Sequence, residues 1–560
     1  MERGFFKRLV SMATAVALAG ALLAGCGSTT DSSTGSASAS GSTAASAASE
    51  SSSETSSGSY GGTATDTVTF AMASAWKDLV PYNESSGGYY SAIVMGMLYD
   101  RLVVLDAHGN ISPRGADSWE ISDDRKSITF YLSQDAQWSD GEPVTADDYV
   151  FAVQEITDPE CTADHKSVYN ILENVDTSGN ATGDPGVEKI DDYTVKYTCS
   201  ETISEAVNFQ QNFVYWFPLP EHLLSDVAPA DYVSADLWNN PVGSGPCIFE
   251  SQVAGSELVL KANKNYQLGA PGFETLRIEV MASTNMASSI ISGDIDLCYP
   301  YLSNDDIETL KAVGGNVVVE HDDTPFQPYM IFVNQLVYND SRINKAIDLA
   351  IDRDAIVAML KNAEAAESPV LKGTKYYDDT CTATRDVEQA KELFQEAAAD
   401  GSIDLSQPIV INTPGGVREQ IASIIQQNLE EAGVTCEIQV QEAATMFSGL
   451  FSGTVGIALV NASYSSNPMW LRTFLTNDSA SYINVQDDTW DDIYDEFIAA
   501  ATEEDQIQVA KDYQQLWLEK EPVIIYAAGY EDYPHSARLG NSVGLLNDAS
   551  GNLTVWNWCK

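Results

Sequence analysis

The 560-residue chain carries 29 Lys plus Arg against 81 Asp plus Glu, a formal net charge of −52. A field of this sign repels a phosphate backbone and a flat anionic bilayer, so neither nucleic acid nor an open membrane surface suits it as a partner. After the first 25 residues no apolar run approaches the roughly 20 residues that span a bilayer, so the body reads as soluble, and its length implies two or three domains.

At the N-terminus Arg3, Lys7 and Arg8 precede an apolar run from Leu9 to Ala24, the layout of a secretory signal peptide. The run ends in Leu23-Ala24-Gly25-Cys26 and resembles the lipobox of bacterial lipoproteins, which implies that residues 1–25 are removed and that Cys26 is lipidated. Loss of three basic residues and one acidic residue would leave a net charge of −54. Residues 26–65 are nearly all Ser, Thr, Ala and Gly and cannot bury enough apolar surface to fold, which predicts a flexible tether reaching about 35 Å.

The body alternates strand and helix signals. Val68–Ala73 and Thr129–Leu132 read as strands, and Asp140-Gly141 as a turn. Thr145 with Asp148 three residues on has the spacing of a capping box, and Tyr149, Val150, Val153 and Ile156 then line one helical face. Further on, Asp340 and Ser341 open a helix carrying Ile343, Ala346, Ile347 and Ala350, and Asp352 caps a second. Ile409–Ile411, a helix through Ile421, Ile425 and Leu429 ending at Gly433, and Val434–Val440 form a strand–helix–strand unit, which places its two strands parallel. The strand Gly456–Val460 then runs into a polar loop, Asn461–Pro468. Ligands in open α/β sheets bind beyond strand carboxyl ends, so that loop is a candidate site.

With Cys26 acylated, seven cysteines remain (161, 199, 247, 298, 381, 436 and 559); the odd number and the lack of a C-x-x-C pair argue for buried thiols rather than a disulfide framework. The sequence has no H-E-x-x-H, G-x-S-x-G or phosphate loop, and its five histidines stand apart. Neither catalysis nor a cofactor or metal is expected. A glycosidase, which needs two converging carboxylates, remains the enzyme alternative among so many acidic residues.

Several segments carry a family resemblance in their order. They are Met97–Leu102, Trp119–Asp124, Ile128–Leu132, Trp138–Asp148, Pro241–Pro246, Asn263–Tyr266, Ser292–Asp296, Asn334 and the helix pair from Arg342 to Arg353. Together they resemble the peptide/nickel family of ABC-transporter solute-binding proteins, which includes the oligopeptide- and dipeptide-binding proteins. Trp119 and Trp138 read as packing residues rather than ligand contacts.

The resemblance implies an α/β, two-lobed periplasmic-binding-protein fold (type II, cluster C) with an extra domain inserted in the first lobe. Lobe one is expected at 66–104, 238–328 and 528–560, the extra domain at 105–237 and lobe two at 329–527. It also implies a monomer that closes over a short peptide and presents it to the permease of an ABC importer, whose ATPase is a separate subunit. The protein would lie outside the cytoplasm, lipid-anchored to the outer face of the cell membrane, or in the periplasm.

Peptide binders of the family carry an aspartate before a tyrosine in the loop matching Asn461–Pro468, where it pairs with the peptide's α-amino group. Here the matching residues are Ser463 and Tyr464. A buried ammonium without an anion is costly, so a sugar, an opine-like compound or a metal chelate competes with peptide as ligand, and a sensing receptor competes with a transporter component. Candidate ligand contacts are Ser463, Tyr464, Trp470 on the following helix, Tyr169 in the extra domain, and Asn334 and Tyr526 near the hinge and cleft.

Overall fold

A computed structural model describes residues 65–560 except 84–87, 106–109, 300–301, 463–466, 476–482, 484, 486, 501, 541–554, 556–557 and 560. The signal-peptide stretch, Cys26 and nearly all of the tether therefore lie outside the described residues.

A seven-stranded sheet runs in the order Val317–His321, Asp532–Ser536, Leu297–Tyr299, Thr65–Met72, Phe273–Val280, Glu257–Ala262, Cys247–Val253. Its middle strand, Thr65–Met72, pairs parallel with both neighbours. Its first part alternates, with Val68 and Phe70 buried between threonines, and its carboxyl end is covered on both faces, Met72 in one core and Ala71 in a second, so it closes on the apolar run Phe70–Met72.

A six-stranded sheet runs Ala363–Ala365, Val523–Gly529, Gln327–Val333, Ile457–Asn461, Ile409–Thr413, Cys436–Val440. The strand–helix–strand unit is present: Ile409–Thr413 and Cys436–Val440 pair parallel, joined by the helix Val417–Glu431, and Gly433 takes φ +86° just beyond that helix. Val434 lies in the core below the second strand without joining its ladder, which begins two residues later than the apolar pattern suggests. Asp340 and Asp352 cap their helices by accepting from Arg342 N and Ala355 N.

Two segments connect these sheets side by side. Residues 322–326 link His321 to Gln327, and residues 530–531 link Gly529 to Asp532. Asp322 N donates to Glu531 O at 2.9 Å and Phe326 N to Gly529 O at 2.8 Å. Asp532 anchors the crossing, accepting from His321 Nδ1 at 2.9 Å, Lys311 Nζ at 3.2 Å and Asn362 Nδ2 at 3.0 Å.

A four-stranded antiparallel sheet, Ala116–Ile121, Ser127–Leu132, Thr194–Thr198, Val187–Asp191, packs with the helix Ala146–Thr157. The capping box forms as its spacing requires, Thr145 N donating to Asp148 Oδ2 at 2.8 Å. Asp148 also accepts from Glu221 N at 3.1 Å and from the indole of buried Trp138 at 3.3 Å, so one carboxylate caps the helix and clamps two remote segments.

The family segments Met97–Leu102, Pro241–Pro246 and Asn263–Tyr266 meet at one junction. Buried Asp100 forms an ion pair with Arg114, Nε lying 2.7 Å from Oδ1, and accepts from Tyr266 Oη at 3.0 Å and Gln267 Nε2 at 3.1 Å, while its amide donates to Ser244 Oγ at 2.9 Å. Beside it, Gly245 N donates to Leu98 O at 2.8 Å, and a Cβ at Gly243 would sit 2.1 Å from the same oxygen. Close backbone approach, not phosphate binding, requires the glycines of Pro241–Pro246. The seven described cysteines are free thiols, six of them buried.

Candidate functional site

The strand Ile457–Asn461 is flanked by Gln327–Val333 on one side and Ile409–Thr413 on the other. Residues alternate between its faces. Ile457 and Leu459 join a core with Tyr329, Ile331, Ile524 and Tyr526, while Ala458 and Val460 join another with Met330, Phe332, Val523 and Ile525. At its carboxyl end Asn461 pairs with Tyr329 and, by alternation, shares that residue's face.

The parallel neighbour ends nearby. After Thr413 the chain turns through Gly415 and Gly416, at φ +91° and +65°, conformations that favour glycine, and enters the helix Val417–Glu431. Arg418 therefore sits in that helix's first turn. The helix dipole disfavours a cation there, and Arg418 is also buried, at 8% exposure. Its Nη1 donates to Asn461 Oδ1.

Tyr329 and Tyr526 stand beside this guanidinium, their ring centroids 6.3 Å apart. Burial pushes the Tyr329 hydroxyl up to about 12 and that of Tyr526 higher still, with the Arg418 charge opposing the shift in both. Both remain neutral donors at ordinary pH. The Tyr526 hydroxyl is fully buried and has no hydrogen-bond partner among the described residues. An uncompensated buried hydroxyl is unfavourable, which singles out this corner as the candidate site. Guanidinium, hydroxyl and helix N-terminus all favour an anion.

Of the candidate contacts, Tyr526 lies in this corner. Ser463 and Tyr464 follow Asn461 closely but lie outside the described residues. Trp470 is at 8% exposure in the core on the opposite face of the sheet, its indole donating to Pro369 O at 2.8 Å. Asn334 follows the far end of the strand Gln327–Val333. Its Nδ2 donates to Leu450 O at 2.6 Å and Val455 O at 3.2 Å, and its Oδ1 accepts from Leu336 N at 2.9 Å, so it ties a chain reversal. Tyr169 is at 1% exposure in the core of the first sheet's side of the molecule, with its hydroxyl 2.5 Å from that of Tyr82. The structure does not bring Trp470, Asn334 and Tyr169 together with Tyr526.

Arg418, Tyr329 and Asn461 were not singled out as contacts by the sequence. The available signal was a cation placed against the helix dipole, directly after a Gly-Gly turn at a strand's carboxyl end. Among the described residues no group of three or more His, Cys, Asp or Glu is placed to hold a metal ion.

Comparison with known proteins agrees with this architecture. The periplasmic oligopeptide-binding protein OppA of Salmonella typhimurium is 27% identical over 455 residues, covering 77% of this chain and 81% of that protein. The probable deoxycholate-binding periplasmic protein YgiS of Escherichia coli is 23% identical, covering 69% and 72%. The crystal structure of the ABC transporter substrate binding protein CtaP from Listeria monocytogenes superposes with a TM-score of 0.73 at 21% identity, covering 87% of this chain and 99% of that one. Residues 110–482 match the model of the bacterial extracellular solute-binding proteins, family 5, and the chain belongs to that family.

Proposed function

We propose that this chain is the ligand-capturing component of an ABC importer and that its ligand is a short peptide whose carboxylate docks against Arg418. Family 5 proteins are binding proteins of transport systems, not enzymes, and act outside the cytoplasm. The observation that carries the peptide reading is the corner itself: at the carboxyl end of a central strand, the buried Tyr526 hydroxyl has no partner among the described residues and stands beside the buried Arg418 guanidinium, which bonds Asn461. Several relatives are named for peptides, among them oligopeptide-binding proteins of Salmonella typhimurium and Bacillus subtilis, which supports the same reading.

In this reading the lobes are residues 66–104 with 238–328 and 528–560, and residues 329–527, with 105–237 as the extra domain. The crossing near Asp532 is the hinge. Ligand contacts to both lobes drive closure, because differential affinity is what shifts a conformational equilibrium. Cys26 carries the lipid anchor, residues 26–65 are the tether, and the protein works as a monomer with a permease and an ATPase. No helix among the described residues is long and apolar enough to cross a membrane.

The test is to purify the mature chain, denature it and identify released solutes by mass spectrometry. Short peptides are expected, and amidation of their C-termini should weaken rebinding about tenfold or more, the size of a lost hydrogen bond to a charged group. A released solute without a carboxylate would overturn the reading. A non-peptide carboxylate is the second reading, favoured by the relative named for deoxycholate, itself a carboxylate anion.

A further inference from the structure

The six-stranded body touches the rest of the molecule at a second place besides the crossing. In the hairpin between Ala116–Ile121 and Ser127–Leu132, Arg125 takes φ +54°. That left-handed conformation is one that glycine adopts freely and an arginine does not. Its guanidinium leaves the hairpin and donates through Nη2 to Ile498 O at 2.5 Å and through Nη1 to Ala500 O. These carbonyls end the helix Thr489–Ala499, where the helix itself supplies no partner and the dipole favours a cation. Arg125 thus caps a helix of the other body.

The short helix Glu205–Gln211 completes the patch. Phe209 packs in the core of its own side, whereas Val207, at 2% exposure, belongs to the other body's core with Tyr376, Phe497 and Val509. Ser204 Oγ accepts from Gln506 Nε2 at 3.3 Å across the same seam.

The position of the patch matters. The helix Glu503–Lys520 is about 27 Å long and the strand Val523–Gly529 about 23 Å, and they are joined by Glu521 and Pro522. The end of the helix is tied to the start of the strand, Trp517 Nε1 donating to Val523 O at 3.0 Å, and the patch meets the helix nearer its start, at Gln506 and Val509. Gly529 pairs with Gln327 and Asn461 with Tyr329, so the crossing and the Arg418 corner share one end of the six-stranded sheet.

We propose that this patch is a closure latch: Arg125, Ser204 and Val207 hold the six-stranded body against the inserted domain independently of solute. Opening at the crossing must pull Arg125 off its carbonyls and expose Val207. The latch thereby raises the closed fraction of the empty protein, and apparent affinity rises by the same factor for every solute, unlike a ligand contact, which discriminates among them. The inference rests on the two-lobed clamp reading but not on the identity of the solute.

The test is small-angle X-ray scattering of the full chain stripped of solute by unfolding and dialysis. Two variants attack the patch from different sides: Arg125→Gly, which also relieves the hairpin backbone, and Val207→Asp. Arg385→Ala, which removes a surface pair with Glu431, is the control. Both patch variants should show a larger radius of gyration than the unmodified protein, with a shift of about tenfold or more in the open-to-closed ratio, while the control scatters unchanged. Unchanged scattering in both variants would overturn the latch. So would expansion confined to Val207→Asp together with a lowered thermal transition, which would mark core damage. Because no solute enters this measurement, its failure is separate from failure of the peptide reading, which the released solutes decide.

Discussion

Two polar clusters in this molecule are built from similar residue types and behave in opposite ways. At the Asp100 junction the carboxylate pairs with Arg114 and accepts from Tyr266 and its neighbour Gln267, so that one group ties two other segments to its own. At the Arg418 corner an arginine and two tyrosines gather near an asparagine, yet the Tyr526 hydroxyl has no partner among the described residues. In the first cluster the carboxylate is spent on partners from other segments, so the cluster is structural. The second retains an unused donor, the Tyr526 hydroxyl, which is the ground for proposing a guest there. Three of the recognisable family segments meet in the first cluster, so there the resemblance marks scaffold.

The sharpest way to break this contrast is Asp100→Ala. It leaves the Arg114 guanidinium buried without its anion and should cost about 3–5 kcal/mol of stability by denaturant titration. A loss near zero would mean that the junction is not what fixes the two segments together. Arg418→Ala should do the reverse, weakening capture of the co-purifying solute roughly tenfold to a hundredfold by calorimetry while moving the unfolding midpoint much less. If stability falls and affinity holds, the corner is structural after all.

Gly243→Ala probes the scaffold without touching charge. Its Cβ would press into Leu98 O, and a loss of about 1–3 kcal/mol is expected in the thermal or chemical transition, with affinity retained in the folded fraction. The smallest effect is that of Tyr526→Phe. Removing a hydroxyl that has no partner should leave stability unchanged or slightly raised, yet cost about 0.5–1.5 kcal/mol in solute binding. A clear fall in stability would show that this hydroxyl is satisfied in the empty protein.

Local chemistry was legible in the sequence wherever the determining partners are near in the chain. The capping box at Thr145 and Asp148, the helix caps at Asp340 and Asp352, the left-handed Gly433 and the parallel strand–helix–strand unit follow from spacing and backbone preference. Charge and composition likewise set the excluded partners, and the ordered segments indicated the family. Tertiary structure alone decided which polar residues are spent internally and which remain available. Trp470, Asn334 and Tyr169 have suitable side chains for ligand contact, but their donors are committed to Pro369, to Leu450 and Val455, and to the Tyr82 cluster. Arg418 lies far along the chain from Tyr329 and Tyr526, and Arg125 farther still from Ile498 and Ala500. Such pairings depend on long-range packing and on which face of a strand alternation presents, and no local pattern records them.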